Sequence, residues 1–126
     1  MVAAILAELP DAQAIYLFGS AAAGRLRADS DVDLAVLPLV PLEPLVRWNL
    51  QEKLAGLLSR SVDLIDLRSA STVMRVQVIA NGTLLYEGDA FARADFEATA
   101  FSAYARLNEE RRHILNDIRA TGRVYG

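Results

Sequence analysis

Apolar positions along the chain follow two rhythms, one of about 3.6 residues and one of short, nearly unbroken runs, and they alternate from end to end. Val2 to Leu9 has helical spacing and is closed by Pro10-Asp11. Ala14 to Phe18 is an apolar and aromatic run that predicts a buried strand, and a second strand follows over Asp31-Val32-Asp33-Leu34-Ala35-Val36-Leu37. Pro38, Pro41 and Pro44 then recur at intervals of three and predict an extended connector of polyproline type. From Glu43 or Pro44 to Ser59 the apolar residues Val46, Leu50, Leu54 and Leu57 return at helical spacing, with Trp48 expected to pack beside them.

The second half continues in the same way. Val62 to Leu67 predicts a third strand, and Ser71 a capped helix through Ala80 that Asn81-Gly82 stops. Thr83 to Glu87 predicts a fourth strand at a sheet edge. Asp89 caps a long helix running to about Arg119, with Phe91, Ala94, Ala98, Phe101 and Ala105 as its packing stripe. Its later part is polar, and Glu109-Glu110-Arg111-Arg112-His113 is expected to be a solvated face with His113 on the surface. Strands alternating with helices give an α/β fold. At 126 residues the expectation is a single domain over 1–126, with a core at about 12–88 and a helical segment at about 89–121.

The chemistry concentrates between the first two strands. Alternation along a strand puts Asp31 and Asp33 on one side, with Cα atoms roughly 6–7 Å apart. Two carboxylates so placed repel each other unless a cation lies between them, and hard divalent ions prefer oxygen ligands. Gly19-Ser20 closes the first strand with small residues that let backbone approach a ligand. If Ala21-Ala22-Ala23 opens a helix, its unpaired N–H groups favour phosphate. Arg25 and Arg27, in the loop that follows, can reach a triphosphate. The third strand carries two more acids: Asp63 shares a face with Ile65 and Leu67, and Asp66 shares the other with Val62 and Leu64, so only one of them readily joins the pair.

Composition narrows the partners. The chain has no Cys, which excludes a thiolate metal site or a disulfide framework and suits a reducing cytoplasm. Thirteen Lys and Arg against sixteen Asp and Glu leave a formal charge of -3, which disfavours direct nucleic-acid binding. No apolar run approaches the roughly 20 residues of a membrane span. A hydrophobic fraction of 53% is high for a small domain and fits either an Ala- and Leu-rich core or an apolar interface.

Gly19-Ser20, ten residues, then Asp31-Val32-Asp33 resembles the Gly-Ser-(ten)-Asp-x-Asp signature of the polymerase-beta-like nucleotidyltransferase superfamily. With Ser30 before and Leu34 after, it is most similar to the minimal nucleotidyltransferase branch, whose resemblance extends from about Ala14 to Tyr104. The resemblance implies a polymerase-beta-like core with a small mixed sheet, helices packed on one face, and a long C-terminal helix. It implies Asp31, Asp33 and a third carboxylate, best matched by Asp63, as catalytic and metal ligands for two Mg2+ ions. Gly19, Ser20, Arg25 and Arg27 would then bind ATP. Several members of that branch are antitoxins paired with a HEPN-domain ribonuclease toxin, so the resemblance implies a cytoplasmic enzyme that transfers AMP to a tyrosine of a toxin encoded nearby and forms a hetero-oligomer with it. An antitoxin that only blocks its partner and an enzyme acting on a small molecule are the alternatives. The chain lacks the Arg-x4–6-His-x-Tyr pattern of the toxins, since Arg112-His113 is not followed by it.

Overall fold

The computed structural model describes residues 1–19 and 31–121, with side chains up to residue 116. Its elements in chain order are α1 (Val2–Glu8), β1 (Ala14–Phe18), β2 (Val32–Leu37), α2 (Pro44–Leu58), β3 (Val62–Asp66), α3 (Thr72–Asn81), β4 (Thr83–Glu87) and α4 (Ala90–Thr121). The four strands form one sheet in the order β3-β2-β1-β4. β1 lies antiparallel to both β2 and β4, whereas β2 and β3 are parallel, with α2 as the crossover.

Local chemistry sets the element ends as expected. Pro44 occupies the first turn of α2, where its missing N–H is no loss. The Ser71 hydroxyl accepts from Met74 N at 3.2 Å and the Asp89 carboxylate from Ala92 N at 3.0 Å, capping α3 and α4. β4 is an edge strand, as expected.

Alternation splits the sheet's side chains into two apolar layers. Ile15, Val32, Leu34, Val36, Val62 and Leu64 pack with Ile5 of α1 and with Leu50 and Leu54 of α2. Ala14, Tyr16, Ala35, Leu37 and Leu67 pack with Val78 of α3 and Phe96 of α4. Helices therefore cover both faces, not one. The reason is that β1 and β2 are apolar on both sides, and a strand so composed must be covered twice.

Two predicted packing stripes shift. In α2 only Leu50 and Leu54 are buried; Val46 and Leu57 are exposed, and Trp48 stands half in solvent. In α4 the contact residues are Phe96 and Ala100, while Phe91, Ala94, Ala98, Phe101 and Ala105 face outward. Phe96, Ala100 and the half-buried Ala103, Tyr104 and Leu107 keep helical spacing, so two stripes competed and contact with α3 selected one. Beyond Asn108 every described side chain of α4 is exposed, His113 among them.

Candidate active site

β2 begins at Val32, so Asp31 sits one residue before the strand and is exposed. Asp33, the second strand residue, is half-buried and pairs in register with Phe18 of β1 on one side and Asp63 of β3 on the other. Register partners project to the same face, so the Asp33 and Asp63 side chains emerge together, on the face that carries α3 and α4. Asp63 is exposed and reachable from outside.

The first strand meets this pair through Gly19. Its φ of +69 is a left-handed conformation that favours glycine, and a Cβ there would collide with Oδ2 of Asp33 and lie 3.1 Å from its Cγ. Asp33 is thus held against the bare backbone that follows β1. Burial raises its pKa above the ordinary 3.8, and the negative charges of Asp63 and then Asp31 raise it further. Three carboxylates share one field, and their mutual repulsion is a destabilisation that a bound cation would offset.

Asp66 occupies a different world. It is buried, on the opposite face, and accepts from Leu42 N at 2.8 Å, Arg68 N at 2.9 Å and the Ser69 hydroxyl at 2.9 Å. Those bonds fasten the proline connector to the turn after β3, and a carboxylate whose lone pairs are so engaged has little left for a ligand. The sequence shows both acids three residues apart; only the register separates the one facing Asp33 from the one stapling a loop.

Ser20, Arg25 and Arg27 lie outside the described residues. Among the described residues no group of three or more His, Cys, Asp or Glu side chains is arranged to hold a metal ion by itself. Mg2+ is seldom held that way: it keeps waters and takes one or two carboxylates together with substrate phosphates. The Asp33–Asp63 pair beside the Gly19 backbone fits that kind of shared site better than a closed protein cage.

Comparison with known proteins identifies the family. The family model "Polymerase beta, Nucleotidyltransferase" matches residues 1–91. The protein adenylyltransferase MntA of Shewanella oneidensis is 43% identical over 113 residues, covering 90% of this chain and 81% of that protein. A crystal structure of a toxin–antitoxin with AMP-PNP superposes with a TM-score of 0.83 at 40% identity, covering 94% of each chain. A structure of the tri-AMPylated Shewanella oneidensis HEPN toxin in complex with MNT antitoxin matches with a TM-score of 0.77 at 38% identity, over 94% of this chain and 92% of that one. A four-stranded mixed sheet with its acids at one end, matched over this length and at this identity, leaves one assignment: the chain belongs to the polymerase beta nucleotidyltransferase family, among the relatives of protein adenylyltransferase MntA.

Proposed function

We propose that this protein is an antitoxin that transfers AMP from ATP to a tyrosine of a cognate HEPN ribonuclease toxin, and so neutralises it. The observation that carries the reading is the pairing of Asp33 with Asp63 across β2 and β3, next to the Gly19 backbone. Its setting in a relative named protein adenylyltransferase, and in structures of complexes with AMP-PNP and with an AMPylated HEPN toxin, supplies the donor and the acceptor.

In this reading Gly19 and Ser20 orient the triphosphate, Arg25 and Arg27 neutralise its tail, and Asp31, Asp33 and Asp63 hold Mg2+ against it. The metal supplies Lewis-acid neutralisation of charge on the phosphate oxygens. The acceptor tyrosine oxygen attacks the α-phosphorus in line, its proton passes to the exposed Asp63 carboxylate, the bond to the bridging oxygen breaks, and pyrophosphate leaves. Closeness to Gly19 fixes Asp33 relative to the phosphates, and exposure of Asp63 lets a bulky protein acceptor reach it. The same reading places the protein in the cytoplasm, where ATP is supplied, as a hetero-oligomer with the toxin.

The test is to incubate the protein, Mg2+ and ATP with the HEPN protein encoded beside it and weigh that protein by mass spectrometry. One or more AMP increments on tyrosine are expected, and none with Asp33→Asn. Tight binding without any mass increase would overturn transfer in favour of steric blocking.

A further inference from the structure

Four residues along the strands from Asp33, about 13 Å away, the sheet ends in a second polar cluster. Arg68, after β3, donates from Nε to the Pro38 carbonyl and from Nη2 to the Gln13 side chain. Arg75, in α3, donates from Nε to the Leu67 carbonyl at 2.8 Å and from Nη2 to the Arg68 carbonyl at 2.7 Å. Both guanidinium groups lie near the Phe96 ring, at 5.8 and 5.1 Å from its centre. Each is thereby held by two backbone or amide bonds and an aromatic ring, with Nη1 uncommitted among the described residues and no carboxylate paired to it. Both line a surface cavity of about 350 Å3, together with Thr99 and Asp95 of α4.

Two cations that line one cavity repel each other, and among the described residues Asp95 is the acid that lines the same cavity. A loose arginine pair would separate into solvent; this pair is prevented from doing so by its own hydrogen bonds. Preorganised forked donors that need no further ordering are what recognises an oxyanion. Two guanidinium groups bring two positive charges to this cavity, which a phosphate of about -1.5 to -2 balances more fully than a carboxylate of single charge does, and the Thr99 hydroxyl lines the same cavity. Phe96 is buried and its ring already lies against the guanidinium groups, so it is poorly placed to stack a base.

We propose that Arg68, Arg75 and Thr99 form a phosphate-binding site at the end of the sheet opposite the carboxylates, separate from the nucleotide site. Its ligand is a phosphate group, either free inorganic phosphate or a phosphomonoester. Occupancy joins the start of β1, the proline connector, α3 and α4 through one anion.

The experiment follows the arginine Nε–H signals of the full-length protein by NMR while inorganic phosphate, and in a separate arm AMP, is added. Saturable shifts at both Arg68 and Arg75 are expected, with Arg47, Arg60 and Arg93 unmoved. Saturation by inorganic phosphate alone assigns a free ion, and saturation by AMP as well assigns a phosphomonoester. Asp95→Asn removes a repulsive charge from an exposed helix position and should tighten binding about two- to fivefold, while Thr99→Val should weaken it by a similar factor. Arg75→Gln should abolish the shift at Arg68. Absence of saturation in both arms, equal shifts at all arginines, or unchanged affinity in Asp95→Asn overturns the proposal. Asp33→Asn should leave these titrations unaltered, so failure here is distinguishable from failure of nucleotidyl transfer.

Discussion

Asp33 and Asp63 are register partners across the parallel pair β2 and β3, which sets their backbones about 5 Å apart with both carboxylates on one face. Such a pair is unfavourable in the apo protein, and a cation at the proposed site would relieve the repulsion.

The first prediction concerns pH. Because the pKa of Asp33 is raised in the fold, its protonated form is the one the native state favours. The associated stability is present below about pH 4 and is lost as the pH rises through the folded pKa. At neutral pH Asp33→Asn should therefore stabilise the apo protein, by up to about 1 kcal/mol, and the gain should fade in acid. Melting curves across pH with chelator present measure this. Mg2+ and ATP should then raise the melting temperature of the wild type and not of the variant, because a ligand stabilises only the state that binds it.

Gly19→Ala should damage both fold and site. The substitution places a methyl against the Asp33 carboxylate and forces a left-handed φ on alanine, for a loss of about 1–3 kcal/mol. Adding Asp33→Ala should return part of that loss, and a double-mutant cycle reads the coupling. Strictly additive values would show that the two residues do not meet.

The acids of β3 should behave oppositely. Asp66→Ala leaves Leu42 N and Arg68 N without their partner and should cost about 2–4 kcal/mol in chemical denaturation. Asp63→Ala, at an exposed position beside other acids, should leave stability within about 0.5 kcal/mol while abolishing AMP transfer.

Along α4, Phe96→Ala should destabilise by about 3–5 kcal/mol, because the ring fills the layer between α3, α4 and the sheet. Phe91→Ala should change stability by less than about 0.5 kcal/mol, since that ring is 84% exposed.

Tyr16 gives an alkaline counterpart. Burial first and then the negative charge of Glu97 push its pKa up to about 12. Its contribution to stability is present below the ordinary value of 10 and is lost as the pH rises through 12. Ultraviolet titration should show one tyrosine ionising about two units late, and Tyr16→Phe should remove that phase.

The elements and their order were legible in the chain. Period and punctuation suffice for that: Pro44 and Ser71 act on the backbone within one turn, and Gly19 and Asp33 are separated by a spacing that a family resemblance can read. Where the reading differed from the structure, or stayed open between Asp63 and Asp66, the choice was between faces. Two apolar stripes in α4 had equal periodicity, and only contact with α3 buried Phe96 and exposed Phe91. Helices on one face or two depended on whether both sides of β1 and β2 needed cover, which a run of apolar residues does not state. Asp63 and Asp66 differ in role because β3 pairs with β2 in a register that aligns Asp63 with Asp33, and because Leu42, from a connector 24 residues away, donates to Asp66. Pairing register and long-range hydrogen bonds are properties of the folded chain, set by how all its layers close at once, and tertiary structure alone decides them.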